Sequence, residues 1–273
     1  MSTGNGDAVR VTLRDFQERK ERREKLVVVT AYDSLFGKLV DESGVDAVLV
    51  GDSVGNLLAG YDTTLPVTLD QMVYHARATR AGVKRALLIV DMPFLTYQVS
   101  PQRALLNCGR VMAEGGADAV KLEGASDSVL AAVRAVTGAG IPVMGHLGFT
   151  PQSVNTLGGT RVQARDDIGA RKIVEDAKKL EAAGAFSIVL ELVPAKVAAN
   201  VTKAVRIPTI GIGAGAQCSG QVLVLHDLLG LNDGFNPKFL KRYASMAAEV
   251  RDAVSRFAED VRDGNYPDDD HSF

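Results

Sequence analysis

The sequence is poor in cysteine, and its two cysteines form no pattern. Cys108 and Cys218 belong to neither a pair nor a cluster in this chain of 273 residues. Zinc sites and disulfide frameworks depend on closely spaced ligands or on several paired cysteines. The sequence therefore predicts neither, and a reducing cytoplasm is the expected location.

A strong excess of one charge is also missing. The chain has 31 Lys and Arg against 33 Asp and Glu, which gives a formal net charge of −2. This balance creates no overall field that would attract nucleic acid or an anionic membrane. No apolar run approaches membrane-spanning length, and residues 1–6 lack the pattern of an export signal. We therefore expect neither nucleic acid nor a membrane as a partner.

The chain does have the composition of a packed globular protein, with 46% hydrophobic and 23% charged residues. This length and composition suit one large domain. We predict a disordered N-terminus at residues 1–9, a single domain at 10–264 and an acidic tail at 265–273. A charged helix over residues 10–25 and one or two helices over residues 236–262 are expected at the two ends of that domain.

Short apolar runs rich in Val, Ile and Leu recur along the chain. About eight are visible, at residues 26–30, 47–50, 86–90, 119–122, 142–144, 187–190, 208–212 and 222–225. Each suits a strand buried on both faces, and the stretches between them are long enough for helices. This alternation predicts a parallel α/β fold, and the number of runs favours a (β/α)8 TIM barrel. A doubly wound open sheet shows the same alternation and is the alternative.

Ionisable residues follow these runs more often than apolar strands require. In a barrel, side chains at the carboxyl ends of the strands form the active site. A single acidic residue there could simply cap the next helix. Six groups at one rim, four of them acidic, would repel one another unless a cation or a charged ligand lay among them. The six are Asp52, Asp91, Lys121, Glu123, His146 and Glu191.

Two of these acids suggest a metal. Asp52 and Asp91 suit a hard divalent cation such as Mg²⁺, which prefers oxygen ligands and takes one or two protein carboxylates. Zinc is disfavoured because His146 stands alone on its strand. The other histidines are scattered along the chain, at His75, His226 and His271.

Two glycine-rich segments follow predicted strands. Residues 211–215, Gly-Ile-Gly-Ala-Gly, come after the seventh run, where many barrels bind phosphate through backbone amides. They lack the spacing of a dinucleotide or P-loop motif, so a tight turn that allows close approach is an equal alternative. Gly158 and Gly159 suggest a mobile loop after the fifth run.

Five strings of residues carry a resemblance to a known family. They are Val-Gly-Asp-Ser at 50–53, Asp-Met-Pro-Phe at 91–94, Val-Lys-Leu-Glu-Gly at 120–124, Gly-His-Leu-Gly-Phe-Thr-Pro-Gln-Ser at 145–153 and the Gly-rich string at 211–215. Together and in this order they resemble the ketopantoate hydroxymethyltransferase family. The resemblance runs from about Thr30 to Leu231, and the string at 145–153 is highly specific.

The resemblance implies a barrel of the phosphoenolpyruvate mutase/isocitrate lyase group with a bound Mg²⁺. It implies transfer of a hydroxymethyl group from 5,10-methylenetetrahydrofolate to 3-methyl-2-oxobutanoate, through a Mg²⁺-stabilised enolate. The product would be 2-dehydropantoate, in pantothenate biosynthesis. The resemblance also implies a homo-oligomer, commonly a decamer.

The same resemblance implies a role for each matching residue. Asp52 and Asp91 match direct metal ligands, and Glu123 matches an acidic residue that reaches the metal through water. Glu191 matches the carboxylate that transfers protons. The residues that match groups contacting the oxo acid are Ser53, Asp91, Lys121 and His146.

Alternatives stay open at this point. A Mg²⁺-dependent lyase or mutase of the same barrel group would share the metal aspartates, but the string at 145–153 argues against it. A non-catalytic barrel would tolerate loss of the acidic strand ends, and none is lost. Lys121 could form a Schiff base with an oxo acid, although a lysine beside Glu123 and a cation site is better suited to act as a charge. Ser219 departs from the family pattern, where an Asp is common.

Overall fold

The computed structural model describes residues 9–273 and contains a closed barrel of eight parallel strands in that part of the chain. The predicted disordered N-terminus, residues 1–9, lies outside the described residues except for Val9. The chain divides between Leu223 and Val224 into two compact units, the first of which contains the barrel.

Strands and helices alternate through the first unit. The strands are β1 (Leu26–Thr30), β2 (Ala47–Val50), β3 (Leu87–Asp91), β4 (Ala119–Glu123), β5 (Val143–Gly148), β6 (Ser187–Glu191), β7 (Thr209–Ile212) and β8 (Gly220–Leu223). The helices are α1 (Leu13–Arg22), α2 (Ser34–Glu42), α3 (Val54–Leu57), α4 (Leu69–Gly82), α5 (Pro101–Gly115), α6 (Asp127–Gly138), α7 (Val154–Leu157), α8 (Asp167–Ala182) and α9 (Ala195–Ala204).

The pairing of the strands confirms the barrel and excludes the open sheet. Strand β1 pairs in parallel with β2 on one side and with β8 on the other, so the sheet has no edge. Each predicted apolar run overlaps a strand. The differences lie at the ends: β3, β4 and β6 continue by one residue into an acidic side chain, and β8 begins at Gly220, which carries no apolar signal.

An apolar core fills the amino-terminal end of the barrel. Inward-facing residues of the strands share one cluster with Phe16 of α1, which is fully buried. The Phe16 ring contacts the Phe186 ring edge to face, at 5.8 Å between centroids. Helix α1 therefore closes the end of the barrel that is opposite the predicted active site.

Helix α1 is shorter than the helix predicted over residues 10–25. Thr12 caps its amino end through a capping box with Asp15. The helix ends at Arg22 because Arg23 adopts the left-handed conformation, with φ of 59°. The Lys20 ammonium donates to carbonyls that follow or end α9, those of Thr202, Val205 and Ile207.

The regular structure of the second unit is helical. Its helices are α10 (Leu225–Leu228) and α11 (Met246–Asp263). Helix α11 covers residues 246–262 of the region predicted as helical, residues 236–262, and the ten residues before it form no α-helix. In the predicted acidic tail, Asp269–His271 forms a short 3-10 turn. Within residues 9–273, no helix combines the length and the apolar character needed to cross a membrane.

Barrel closure between β1 and β8 depends on Gly220. A Cβ at this position would lie 2.4 Å from the Leu26 backbone carbonyl oxygen. We expect Gly220→Ala to lower the free energy of unfolding by about 1–3 kcal/mol, because the backbone must shift. Gly109→Ala is the matched control: a Cβ there meets no atom within 4 Å, so alanine should stabilise α5 by about 0.5–1 kcal/mol. Thermal melts of both variants test the pairing of Gly220 with Leu26. Equal changes in melting temperature for the two variants would contradict this pairing.

Candidate active site

Alternation of side chains along the strands brings the ionisable groups inside the barrel. In β4, Ala119 lies in the apolar core, so Lys121 and Glu123 point to the same inner side. The same two-residue step gives the pairs Ile89 and Asp91, Met144 and His146, and Val189 and Glu191. The structure therefore brings the predicted strand residues together above the core.

Asp52 and Ser53 lie in the turn between β2 and α3. A Cβ at position 51 would lie 2.7 Å from Ser53 Oγ, so Gly51 leaves room for this hydroxyl. The Asp52 amide donates to Asp91 Oδ2 at 3.1 Å, and the Asp52 side chain is buried. Ser53 Oγ lies 2.8 Å from the Tyr32 hydroxyl. The turn thus holds Asp52 beside Asp91 at the end of β3, and Ser53 beside Tyr32, which follows β1.

Lys121 is buried among carboxylates. Its Nζ atom lies 2.8 Å from Asp91 Oδ1 and 4.0 Å from Glu123 Oε1. Burial alone would lower the pKa of Lys121, but the surrounding carboxylates outweigh it and raise the pKa above the ordinary lysine value. The amine therefore stays protonated and lacks the lone pair that Schiff-base formation requires.

The His146 ring lies between Lys121 and Glu191. Its Nδ1 atom lies 3.2 Å from Lys121 Nζ and 3.2 Å from Glu123 Oε1, and its Nε2 atom lies 3.2 Å from Glu191 Oε2. Burial and the positive charge of Lys121 lower the pKa of His146, so the ring is neutral at pH 7. Nδ1 thus lies equally close to an ammonium donor and to a carboxylate acceptor, and Nε2 lies beside the Glu191 carboxylate without a hydrogen bond of normal geometry.

Two uncharged residues complete the site, and sequence reasoning gave neither of them a role. Gln152 donates from Nε2 to Asp52 Oδ2 and from its backbone amide to Glu123 Oε2, both at 3.0 Å. The Tyr97 hydroxyl donates to Gln152 Oε1 at 3.0 Å and accepts the Glu123 amide at 3.1 Å. Gln152 was visible in the string at 145–153, whereas nothing in the sequence distinguishes Tyr97.

Three buried carboxylates face one ammonium at the centre of the site. Asp52, Asp91 and Glu123 against Lys121 give a formal charge of −2 if all four are ionised. Burial and the charges of the other two carboxylates raise the pKa of Asp52 to about 8. Burial also raises the pKa of Glu123 to about 7. A divalent cation would cancel the formal charge of this cluster.

The donor set fits Mg²⁺ better than zinc. Among residues 9–273, no three His, Cys, Asp or Glu side chains are arranged to hold a metal ion by themselves. Mg²⁺ does not need such a cage, because it takes one or two carboxylates and fills its other positions with water and substrate oxygens. Asp52 and Asp91 offer oxygens of this kind from adjacent strands.

The Gly-rich segment forms a tight turn after β7. Gly213 and Gly215 have φ of 62° and 80°, and a Cβ at Gly215 would lie 2.5 Å from the Ala195 Cβ. Ser219 and Thr209 exchange hydrogen bonds between hydroxyl and amide at 3.2 and 3.3 Å. These contacts account for the glycines and for Ser219 without a ligand. Mobility of the loop at 158–159 stays a prediction.

Comparison with known proteins relates the chain to one enzyme family. The family model for ketopantoate hydroxymethyltransferase matches residues 10–269. A 3-methyl-2-oxobutanoate hydroxymethyltransferase of Pelobacter propionicus is 53% identical over 264 residues, which is 97% of each chain. An enzyme of the same name from Moorella thermoacetica is 52% identical, over 97% of this chain and 98% of the other.

Solved structures with low sequence identity share the fold. A 2,3-dimethylmalate lyase, a member of the PEP mutase/isocitrate lyase superfamily, matches with a TM-score of 0.60 and 15% identity, over 96% of this chain and 91% of its own. A phosphonopyruvate hydrolase complexed with oxalate and Mg²⁺ matches with a TM-score of 0.61 and 13% identity, over 95% and 92%. Such distant matches show a shared barrel fold and give the lyase or mutase alternative no specific support.

The buried carboxylates should make the metal-free protein sensitive to pH. Because the pKa of Asp52 is raised from 3.8 to about 8, the folded state keeps a proton that the unfolded state releases. Stability is then lost as the pH rises from about 4 to 8. Asn cannot ionise, so we expect Asp52→Asn to flatten this decline and to melt several degrees higher than the wild type at pH 8 in EDTA.

Thermal melts between pH 5 and 8 measure this effect. Asp62→Asn, at an exposed position, is the control and should follow the wild-type profile. Equal slopes for Asp52→Asn and the wild type would mean that Asp52 is not the group that retains the proton.

Proposed function

Because the chain belongs to the ketopantoate hydroxymethyltransferase family, we propose that it transfers a hydroxymethyl group from 5,10-methylenetetrahydrofolate to 3-methyl-2-oxobutanoate. The product is 2-dehydropantoate, an intermediate of pantothenate biosynthesis. The observation that carries this proposal is the near full-length relationship, at about half identity, to enzymes of that name. The buried cluster of acids, lysine and histidine supplies groups suited to the reaction.

The first part of the proposed chemistry is binding of the oxo acid beside Mg²⁺. Asp52 and Asp91 would hold the ion directly, and Glu123 would reach it through water. When bound, the ion withdraws charge from the keto oxygen and so makes the C3 proton more acidic. The residues that would contact the oxo acid are Ser53, Asp91, Lys121 and His146.

Lys121 and His146 have different tasks in this proposal. Lys121 stays protonated and provides a fixed positive charge for the substrate carboxylate or for the negative charge that develops on the keto oxygen. His146 is neutral and therefore contributes a directional hydrogen bond rather than a charge. Both side chains are buried, so these interactions act in a medium of low dielectric constant.

Glu191 is the proposed proton-transfer residue. It accepts the proton from C3, and the carbanion forms a bond to the methylene carbon of the folate. Both carbon–nitrogen bonds of that methylene carbon break and one water is consumed. The hydroxyl group of the water ends on the transferred carbon. The other proton of the water and the proton taken from C3 go to the two folate nitrogens, which returns tetrahydrofolate. Glu191 Oε2 lies 3.2 Å from His146 Nε2, so its carboxylate lies beside the proposed oxo acid site.

We also propose a homo-oligomer, for which the family resemblance implies a decamer. Helix α11 supports this, because it exposes an apolar stripe at steps of four, three and four residues: Val250, Val254, Phe257 and Val261. Contact with a second copy would remove this stripe from water. A cytoplasmic location is part of the proposal, and Cys108 and Cys218, both buried free thiols, are compatible with it.

The function is tested by proton NMR of 3-methyl-2-oxobutanoate in deuterated water with the Mg²⁺-loaded protein. We expect loss of the C3 proton signal, and 2-dehydropantoate after addition of methylenetetrahydrofolate. Glu191→Gln should slow the exchange by at least about 100-fold, because it removes the base. It should still bind the oxo acid and Mg²⁺.

The control for this variant is Glu175→Gln, at an exposed position of α8, which should exchange like the wild type. Rapid exchange by Glu191→Gln would assign the base role to another group. If folded, metal-loaded wild type gave neither exchange nor product, the proposed substrate would be wrong.

The apolar stripe of α11 is tested by assembly. We expect Phe257→Glu to reduce the assembly to smaller species in sedimentation velocity, because a charge would be buried in the contact. Arg256→Ala on the same helix should leave the size unchanged. An unchanged size for Phe257→Glu would exclude this stripe as the contact between copies.

A further inference from the structure

Gln152 lies where four consecutive strand ends approach one another. Its side-chain amide donates both protons, to Asp52 Oδ2 at 3.0 Å and to the Met92 carbonyl at 2.9 Å. Its backbone amide donates to Glu123 Oε2 at 3.0 Å. The residue follows β5 and contacts groups after β2, at the end of β4 and next to β3. Gln152 therefore contacts both Asp52 and Glu123 and couples the positions of their carboxylates.

These contacts occupy one oxygen of each carboxylate and restrict how the carboxylate can turn toward a cation. Asp52 Oδ2 accepts the Gln152 amide, so Oδ1 is the oxygen that is free of this bond. Glu123 Oε2 accepts the Gln152 backbone amide, and Oε1 lies 3.2 Å from His146 Nδ1. A carboxylate held in this way favours coordination through one oxygen or through water over coordination through both oxygens.

Single-oxygen coordination distinguishes the two common hard cations. Mg²⁺ requires a nearly octahedral arrangement at about 2.0–2.1 Å and keeps several waters. Ca²⁺ accepts about six to eight oxygens and readily takes both oxygens of one carboxylate. A group that prevents Asp52 and Glu123 from turning both oxygens toward the cation therefore favours Mg²⁺.

We infer that Gln152 is a metal-selectivity residue, which makes the site prefer Mg²⁺ to Ca²⁺ by holding Asp52 and Glu123 in single-oxygen orientation. The inference rests on the metal site of the proposed function. It assigns Gln152 a positioning role, because its contacts are with carboxylates and with the backbone.

The orientation of the Gln152 amide is itself fixed. Its oxygen accepts the Tyr97 hydroxyl at 3.0 Å and the Gln98 amide at 3.3 Å. A rotated amide would place its protons against these two donors, so the NH₂ group must face Asp52 and Met92. Tyr97 is fully buried and also accepts the Glu123 amide, so it supports both carboxylate positions.

The test is calorimetric titration of Mg²⁺ and of Ca²⁺ into the metal-free protein. Gln152→Met keeps an unbranched side chain of similar length but donates no side-chain hydrogen bond. We expect the Mg²⁺ affinity to fall about tenfold while the Ca²⁺ affinity stays equal or rises, so the ratio of the two Kd values shifts at least tenfold toward Ca²⁺. Tyr97→Phe should shift the ratio in the same direction by a smaller factor, and the double variant should shift it no further than Gln152→Met.

Gln71→Met is the matched control. Within residues 9–273, the side chain of Gln71 forms hydrogen bonds with Thr68 and Tyr61 rather than with a carboxylate, so its substitution should leave the ratio unchanged. Wild type that bound neither cation would overturn the proposed metal site itself. If Gln152→Met weakened both cations equally, or if neither it nor Tyr97→Phe changed the ratio, the selectivity role would be refuted while the metal site stood. Should Gln152→Met fail to fold, Tyr97→Phe alone decides.

Discussion

Concentration of negative charge in a buried space is the constraint on which this site depends. Asp52, Asp91 and Glu123 are buried close to shared partners, and among residues 9–273 Lys121 is the cation that forms ion pairs with this cluster. Burial of like charges is costly, and the raised pKa values of Asp52 and Glu123 express that cost. Neutral donors such as Gln152 stabilise individual oxygens without cancelling the charge. A site built in this way is suited to a divalent cation and would be poorly stable as a purely structural feature.

The barrel places the buried charges and the apolar contacts that stabilise the fold in different layers. Each strand contributes apolar side chains to the core at its amino-terminal end, where Phe16 closes the barrel. Two residues further along the same inner face, the side chains become ionisable. The continuous hydrogen-bonded ring of eight strands holds both layers at once, so the backbone at the acidic end is positioned by packing elsewhere.

Much of this could be predicted from the sequence, because it depends on local periodicity. The apolar runs at 26–30 and 47–50 coincide with β1 and β2, and the strand-end position of Asp91 follows from the same pattern. Contacts between distant segments could not be predicted in this way. The start of β8 at Gly220 depends on close approach to Leu26, and the role of Gln152 depends on Asp52, 100 residues earlier. A Gln or Tyr does not stand out from the residues around it in a sequence. Contacts such as those of Gln152 and Tyr97 are therefore seen only once the strands are placed side by side.

Exposure differs across the site in a way that suits the order of the proposed reaction. The side chains of Asp91, Lys121, Glu123 and His146 are at most 5% exposed, whereas that of Glu191 is 20% exposed. Groups that bind and polarise the oxo acid gain from a dry environment, because electrostatic interactions are stronger there. A proton-transfer group must instead return its proton and make room for a large second substrate. The position of Glu191 nearer to solvent, yet within 3.2 Å of the buried His146, is compatible with both requirements. The increase in exposure from the buried carboxylates to the proposed base, Glu191, therefore fits the proposed reaction if the small oxo acid lies deep in the barrel and the folate approaches from outside.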